Sequence, residues 1–301
     1  MKTKTMAIAS LVALSVSAPA FAAKEAAANK STEESKSLIQ QLKDSPFSLS
    51  SVLENYTKLD LEEFSGSRLD TGISYKLSDK DVLKSAIRLR VKESDGDYET
   101  TFSYAHVGYQ RKGLLKDDKH GLDLGLQTRL YKYGESAGAD GAVQVRFDLG
   151  KKFSDKLTSA GVAIYEEYLN PKSGRNHRLT YLEGGPTLNI NNKFDLSGTL
   201  IVQTEFKEDS QSTYGSLSVT PSYKLTEKVS LSHEAGVDRD FSGDATTYGV
   251  NINPSVSYSM NDQLSASLDY ATQVGAITEG KAYGRQWLAN GKLTLAMAYS
   301  L

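Results

Sequence analysis

The sequence predicts an all-β fold, a closed antiparallel β-barrel of about fourteen strands, with twelve strands as the alternative. Three observations predict it. Apolar and polar residues alternate along most of residues 47–301, short polar turns recur between the alternating segments, and charged residues avoid one of the two faces. Because side chains along a strand point alternately to opposite faces of the sheet, one face is expected to meet an apolar medium and the other water.

One hairpin design recurs along the chain. An alternating strand runs into a short polar turn and a second alternating strand follows, as on either side of Thr226-Glu227-Lys228. Residues of these types favour tight turns because their side chains hydrogen-bond the nearby backbone. The same arrangement is found at residues 74–83, 152–158, 186–197 and 254–265. The repetition indicates consecutive antiparallel hairpins.

Fourteen segments have the length and pattern of strands. Thirteen are supported by alternation, and the first is weaker because Val52 and Leu53 are adjacent apolar residues. If the first hairpin lay outside the wall, twelve strands would remain. An even number suits a closed bacterial barrel with both ends of the wall on one side. The segments span about 48–58, 67–77, 82–92, 97–112, 119–133, 141–150, 156–168, 176–190, 194–206, 213–225, 229–240, 248–260, 264–273 and 287–301.

The distribution of charge between the two faces predicts that the barrel crosses a membrane. One face carries no charge in most of the strands, whereas the other carries arginine, lysine, aspartate and glutamine. A cationic side chain on the lipid face at mid-depth costs roughly 2–4 kcal/mol, so this segregation is typical of a lipid-facing wall around a wet lumen. The charge-free face includes Ile73, Leu83, Leu130, Phe147, Leu200, Val256 and Leu295.

A soluble β-sandwich would also show alternation, but two further features favour a membrane barrel. Tight turns alternate with more variable loops, which predicts a rim of short periplasmic turns and a second, unlike rim. Aromatic residues also collect near both strand ends, as expected of the two interfacial girdles. Those near the turns are Tyr75, Tyr109, Phe147, Phe194, Tyr223, Tyr258 and Tyr299, and those near the loops are Tyr98, Tyr131, Tyr168, Phe206, Tyr214, Tyr248, Tyr270 and Trp287.

The N-terminal residues predict export. Lys2 and Lys4 precede an apolar run of about a dozen residues, and Ala20-Phe21-Ala22 offers small residues at the positions that a signal peptidase reads. A spanning helix needs roughly 20 apolar residues, so a membrane anchor is disfavoured. We therefore predict a signal peptide at 1–22, a polar N-terminal periplasmic segment at 23–46 and the transmembrane β-barrel at 47–301.

The final strand carries a resemblance to a known family. It alternates to the end of the chain and closes with Tyr299-Ser300-Leu301. In this it resembles Gram-negative outer-membrane β-barrel proteins of the porin type, which end in an amphipathic strand with an aromatic residue third from the end. That family usually ends in Phe or Trp, whereas this chain ends in Leu. The resemblance implies the cell outer membrane as location, outer-membrane lipid and lipopolysaccharide as surroundings, and recognition of the last strand by the barrel-assembly machinery.

The composition and motifs give little support to other functions. The chain has no Cys, and its 35 basic and 37 acidic residues nearly cancel, which argues against thiolate chemistry and nucleic-acid binding. The four histidines are not paired as metal ligands, so we predict no metal and no cofactor. Gly134-Glu135-Ser136-Ala137-Gly138 matches a nucleophile motif, but it lies in a loop between strands without the helix that motif requires. Ser94-Asp95-Gly96-Asp97 offers too few carboxylates for a calcium cage.

The predicted inner face is the candidate functional site. Opposite walls with opposite charge would produce a transverse field, although each charge could instead pair with a neighbour. Early strands contribute Lys84, Arg88, Arg90, Arg129 and Arg146, and later strands contribute Glu205, Glu234, Asp238 and Asp269. These pore-lining candidates give no preference for cations or anions.

We interpret the chain as a non-enzymatic, porin-like channel for passive diffusion of small hydrophilic solutes or ions. Two alternatives stay open. One is an outer-membrane barrel enzyme that hydrolyses lipid or peptide, for which Ser103 and His106 are the nearest serine and histidine pair. The other is a structural or surface-recognition barrel that does not conduct. The oligomeric state is left open.

Overall fold

The structure is a computed structural model that describes residues 46–58, 65–94, 97–134, 138–172, 175–241, 247–278, 281–284 and 292–300. The predicted signal peptide and all but the last residue of segment 23–46 lie outside this range. Within it, no helix is long and apolar enough to cross a membrane. The strands are β1 (Phe47–Lys58), β2 (Ser65–Lys76), β3 (Asp81–Ser94), β4 (Asp97–Asp117), β5 (Leu122–Tyr133), β6 (Gly141–Lys152), β7 (Leu157–Leu169), β8 (Arg178–Asn191), β9 (Phe194–Phe206), β10 (Gln211–Lys224), β11 (Val229–Asp240), β12 (Thr247–Ser259), β13 (Leu264–Thr278), β14 (Lys281–Gly284) and β15 (Lys292–Ser300).

Strands β1–β13 and β15 form a closed ring of fourteen antiparallel strands. Consecutive strands pair in chain order, and β15 closes the ring by pairing with both β13 and β1. The short β14 pairs with the loop end of β13 and is not a wall strand. The prediction of fourteen strands is confirmed, and the alternative of twelve is wrong because β1 pairs along its length with β2.

The first strand shows why its alternation was weak in the sequence. Val52 lies opposite Asp70 on the inner face, and Leu53 lies opposite Leu69 on the outer face. An apolar residue therefore occupies each face at this point. Val52 is thus an apolar residue beside the polar inner-face residue Asp70.

Away from the strand ends, the outer face of the ring is mainly apolar. Side chains such as Ile73 and Leu200 are 53% and 54% exposed although they are large and apolar. The register aligns Leu200 with Leu217, and Leu217 with Val237, so that apolar side chains form continuous rows across strands. A surface of this kind is stable against hydrocarbon and unfavourable in water.

Five of the tight turns share one hydrogen-bonding scheme. The side-chain oxygen of the first turn residue accepts hydrogen bonds from the backbone N–H groups two and three residues later, at 2.9 to 3.2 Å. This bond replaces a ladder bond at the hairpin end and fixes the register of the two strands. The five residues are Ser78, Ser154, Asn191, Thr226 and Asn261.

The alternation of β4 changes face next to an irregularity of its ladder with β3. The register of β3 and β4 shifts between Arg88 and Leu89, opposite Phe102–Tyr104, which is one residue from a slip visible in the sequence. The alternation is also weak at Gly184 and Gly185 and would allow a slip there, but these residues pair in continuous register with Gly161 and Ala160. Adjacent glycines weaken the pattern without displacing the strand.

Three strand prolines, Pro186, Pro221 and Pro254, face the outer surface near the turns. Pro221 lies opposite His233, and His233 lies opposite Pro254, with no register shift between them. The Leu225 N–H donates to the Val229 carbonyl and therefore points toward β11. Because the backbone nitrogens of every second residue in a strand point to the same neighbour, the imide nitrogen of Pro221 also points toward β11. Pro221 therefore forfeits the bond that would reach the His233 carbonyl. His233 remains on the outer face, and no bulge turns it inward.

The aromatic girdle predicted at the turn end lies on the outer face. Tyr75 is one member, and its ring packs 4.6 Å from that of Phe47. The prediction for the loop end was wrong for Tyr131, Tyr168 and Tyr214, which lie on the inner face. Leu130 faces outward, so alternation requires Tyr131 to face inward. The side chains of Tyr98 and Trp287 lie outside the described part of the chain.

Candidate functional site

All nine candidate residues lie on the inner face of the ring. The register places Arg88 opposite Asp70, Lys84 opposite Ser74, and Arg129 opposite Gln144. Each of the nine alternates with an outer-face residue of its own strand. Those on the basic side are Lys84, Arg88, Arg90, Arg129 and Arg146, and those on the acidic side are Glu205, Glu234, Asp238 and Asp269.

A charge cluster joins the inner faces of β1, β2 and β3. Arg88 donates two hydrogen bonds to Asp70, from Nε at 2.5 Å and from Nη2 at 3.0 Å. Arg68 lies 2.6 Å from Glu54 Oε1 and 3.1 Å from Asp70 Oδ2. The Arg88 guanidinium also lies 4.8 Å from the ring centre of Tyr104. The positive charge of Arg88 is therefore largely compensated.

The sequence reasoning missed the partners in this cluster. Asp70 and Arg68 alternate with Leu69 and Thr71 in the second predicted strand. The turn at residues 77–80 fixes the pairing of β2 with β3, and counting back from it brings Asp70 opposite Arg88. The hairpin pattern therefore contains the register that places Asp70 opposite Arg88.

A second cluster follows the inner faces of β5 and β6. Arg146 Nε donates to Asp148 Oδ1 at 2.7 Å, and Gln127 Nε2 donates to Asp148 Oδ2 at 2.6 Å. Arg129 donates to Gln127 Oε1 at 2.9 Å and to the Tyr131 hydroxyl at 3.1 Å. A carboxylate neutralises Arg146, whereas the described partners of Arg129 are uncharged.

Next to this cluster lies a buried carboxylate that the sequence did not single out. Glu166 is 7% exposed and Gln144 is 6% exposed. Glu166 accepts hydrogen bonds from the Tyr133 hydroxyl at 2.7 Å and from Gln144 Nε2 at 2.6 Å. The side chain lies on the inner face of β7 near the loop end, opposite Gln144.

The acidic residues of the later strands have uncharged partners. Gln203 donates to Glu205 at 2.8 Å, Asn253 donates to Glu234 at 3.2 Å, and Ser267 donates to Asp269 at 2.8 Å. Asp238 accepts a hydrogen bond from Asn251. Among the described residues none of these four carboxylates forms an ion pair within 4.0 Å.

The two sides of the inner face therefore differ in charge. In the described residues, the arginines of the inner face lie on β2–β6, where Arg88 and Arg146 pair with carboxylates. On β7–β13 the charged inner residues of the described part are carboxylates, and Lys224 next to a turn is the basic exception. On β2–β6 these two arginines are thus neutralised by neighbouring carboxylates. On β7–β13 the four candidate carboxylates have no basic partner within ion-pair distance in the described residues, so this side carries a negative charge.

The motifs considered for catalysis and metal binding are not assembled into a site in the described residues. Ser103 lies at the register shift of β4, and His106 faces inward with its ring 5.1 Å from that of Tyr131. The nucleophile-like loop joins two strands, and its residues 135–137, like residues 95–96 of the acidic loop, are outside the described range. No group of three or more histidine, aspartate or glutamate residues is placed to hold a metal in the part that the structure describes.

No protein-family model and no curated protein sequence matches the chain. Solved structures do resemble it. A bacterial polysaccharide outer membrane secretin has a TM-score of 0.51 at 11% identity, with 85% of this chain and 98% of that chain covered. OmpF of Salmonella typhi, in a complex with daunomycin, has a TM-score of 0.50 at 10% identity, with coverage of 85% and 97%.

A loop-deletion mutant of OmpT, an outer membrane protein of Vibrio cholerae, gives a TM-score of 0.48 at 14% identity, with coverage of 85% and 98%. At these identities the similarity concerns the fold alone. Together with the closed ring of fourteen strands, the similarity to the secretin and to OmpF establishes that the chain has the fold of outer-membrane β-barrel proteins.

Proposed function

We propose that the chain is an outer-membrane channel through which small hydrophilic solutes or ions diffuse passively. The observation that carries the proposal is the small size of the inner side chains on β10–β13. They cannot fill the space that fourteen strands enclose, and their hydroxyl groups suit water. These residues include Ser216, Ser218, Thr220, Ser222, Ser230, Ser232, Ser255, Ser257, Ser265 and Ser267.

The number of strands supports the same proposal. Side chains fill the interior of an eight-stranded barrel, whereas wider barrels leave an aqueous space. Here a cavity of about 770 Å³ lies along β4–β9, with Gln110, Gln127, Arg146, Asp148 and Glu183 among its lining residues. These polar groups are suited to hydrated solutes.

The proposed setting follows from the sequence and the fold together. Residues 1–22 would direct export, and 23–46 would remain in the periplasm. Strand β1 begins and strand β15 ends at the rim that carries the tight turns. In bacterial outer-membrane barrels the short turns lie on the periplasmic side, so we assign this rim to the periplasm. Outer-membrane lipid and lipopolysaccharide would surround the apolar face, and the barrel-assembly machinery would recognise β15. Small hydrophilic solutes are the proposed cargo, with no nucleic acid and no cofactor.

We propose no catalytic activity. In a serine hydrolase the hydroxyl nucleophile bonds the imidazole that activates it. Within the described residues His106 Nδ1 has no hydrogen-bond partner, and no bond joins it to Ser103. Loss of lipid or peptide hydrolysis in Ser103→Ala or His106→Ala would support the enzyme alternative instead.

Planar-bilayer recording of the refolded chain tests the channel. Stepwise conductance is expected, and a folded barrel that gives none would indicate the structural or recognition alternative. A matched pair of variants tests whether the conducting pathway runs through the lumen. Ser257→Trp adds bulk on the inner face and should lower the conductance, whereas Val256→Trp, on the outer face at a residue that is 43% exposed, should leave it unchanged. Equal conductance of the two variants would contradict a pathway through the lumen.

A further inference from the structure

A separate polar cavity of about 450 Å³ lies at the loop end of the inner face. Strands β5, β7 and β9 contribute one side of it, and the loops after β5, β7 and β9 contribute the rest. Its lining residues are Tyr133, Gly138, Ala139, Tyr168, Arg175, Asn176, Glu205 and Lys207.

Backbone contacts hold the described loop residues that line the cavity. Tyr133 N–H donates to the Asp140 carbonyl at 2.9 Å, and Lys172 N–H donates to the Gly138 carbonyl at 2.8 Å. Ala139 is 5% exposed. A side chain at Gly141 would place its Cβ 2.1 Å from the Tyr131 carbonyl oxygen, so this close approach requires glycine. The cavity is therefore part of the folded chain.

Charged side chains of both signs line the cavity and are not joined in ion pairs among the residues that the structure describes. Glu205 accepts one hydrogen bond, from Gln203, and Arg175 and Lys207 lie among the other lining residues. In the described residues no ion pair within 4.0 Å joins Glu205 to either cation. Both an anionic and a cationic group of one ligand would thus find an opposite charge.

The aromatic side of the cavity favours a cationic group next to Glu205. The rings of Tyr133 and Tyr168 lie 6.3 Å apart with an angle of 33° between their planes. Aromatic faces attract ammonium groups, and most strongly those that are poorly hydrated. Glu166 holds the Tyr133 hydroxyl at 2.7 Å and so fixes that ring. Asn176 Oδ1 is enclosed here without a donor among the described residues.

We propose that this cavity binds a small zwitterion of the α-amino acid or betaine class. The ammonium group lies against Tyr133 and Tyr168 beside Glu205, and the carboxylate group lies toward Arg175 and Lys207. Binding itself does not depend on conductance. The step from binding to passage rests on the proposed channel and names its class of solute.

Calorimetric titration of the refolded full chain in lipid nanodiscs tests the binding. Three probes separate the two charges: glycine betaine carries both, choline carries the cation, and acetate carries the anion. We expect glycine betaine to bind at least tenfold more tightly than either single-charge probe. Equal affinities for the three probes would overturn the proposal.

Charge-removing variants assign the two ends of the cavity. Glu205→Gln should weaken glycine betaine and choline by about tenfold or more and leave acetate unchanged or tighter, because a repelling carboxylate has gone. Lys207→Gln should weaken glycine betaine and acetate and spare choline. Glu208→Gln is the matched control, since Glu208 lies in the same loop but does not line the cavity. If neither Glu205→Gln nor Lys207→Gln changes glycine betaine affinity, the site is not where we place it.

Bilayer recording of the same preparations keeps the two proposals apart. Conductance without glycine betaine binding would overturn the zwitterion site and retain the channel. Binding without conductance would overturn the channel and retain the site. Circular dichroism of each variant confirms that a loss of binding does not come from a loss of fold.

Discussion

Arg88 and Asp70 form a two-bond ion pair on the inner face, with Nε 2.5 Å from Oδ1 and Nη2 3.0 Å from Oδ2. Both side chains are about a quarter exposed, at 22% and 24%, so solvent screens the pair only in part. Because of this pairing, Arg88 adds little net positive charge to the lumen. The arginine balances a carboxylate on the neighbouring strand, which alternation alone does not indicate.

Arg88→Gln should therefore shift a conducting channel toward cations. Removing the guanidinium leaves Asp70 and Glu54 with Arg68 as their remaining basic partner in the cluster. The reversal potential under a salt gradient measures the shift, which should be larger at low ionic strength because salt screens the charge. The double variant Arg88→Gln with Asp70→Asn restores the net charge and should return the potential close to that of the unchanged chain.

Reversing both Arg88 and Arg90 to glutamate should move the reversal potential further in the same direction. Arg90 lies on the same inner face, opposite Arg68. If neither Arg88→Gln nor the double reversal Arg88→Glu with Arg90→Glu moves the reversal potential, these side chains do not face the path of the ions.

An arginine at the middle of β9 should distinguish the two faces. Leu200 is 54% exposed on the outer face, and its neighbour Thr199 lies on the inner face. Leu200→Arg places a charge against hydrocarbon at mid-depth and should lower the free energy of unfolding by roughly 2–4 kcal/mol. Thr199→Arg should change it by less than about 1 kcal/mol, because its guanidinium reaches water.

Urea unfolding of barrels folded into lipid vesicles measures both changes. A similar loss of stability in the two variants would mean that the outer face does not meet lipid. Greater stability of Leu200→Arg than of Thr199→Arg would reverse the assignment of the faces.

The wall of the barrel could be predicted from the sequence because its determinants are local. Alternation of apolar residues fixes the face of a side chain such as Leu200, and a turn such as that at Ser154 fixes the register of its hairpin. The pattern is weak at Gly184 and Gly185, which give no signal of face. Tyr131 shows a different source of error, because its position near a strand end suggested the girdle whereas the alternation of its neighbours directs it inward.

The contacts within the lumen were harder to predict because they join residues from different strands. Gln144 reaches Glu166 on the next strand, and Tyr133 reaches the same carboxylate across two strands. The cavity at the loop end depends on a further contact, between the backbone of Lys172 and Gly138. No periodicity of one segment indicates which loop residue will meet another. The charged candidates could thus be assigned to a face, but their partners could not be assigned without the register.

Asp155 should titrate below its ordinary range. The Lys152 ammonium donates a hydrogen bond to its carboxylate at 2.7 Å, and this bond, together with the positive charge, lowers the pKa of Asp155. A lowered pKa means that the pair stabilises the turn above the ordinary aspartate pKa, and that this contribution is lost as the pH falls through the folded-state pKa. The pH window therefore lies on the acidic side of the ordinary value.

Carboxyl NMR titration of Asp155 measures the effect. Lys152→Gln should raise the pKa of Asp155 toward its ordinary value. Lys156→Gln is the matched control, because the described contacts of Lys156 in this turn are made by its backbone. An unchanged pKa in Lys152→Gln, or an equal change in the two variants, would show that the ion pair does not persist in solution.

Glu166 and Glu167 are adjacent, and removal of each side chain should have a very different effect. Glu166→Ala leaves the Tyr133 hydroxyl and Gln144 Nε2 without their acceptor in a buried site and should lower the free energy of unfolding by about 2 kcal/mol. The Glu167 side chain is 47% exposed and lies 3.8 Å from Arg178, so Glu167→Ala should cost less than about 1 kcal/mol. Urea unfolding in lipid vesicles, with tyrosine circular dichroism to follow the ring contacts, compares the two. A smaller loss for Glu166→Ala than for Glu167→Ala would mean that the buried carboxylate does not organise Tyr133 and Gln144.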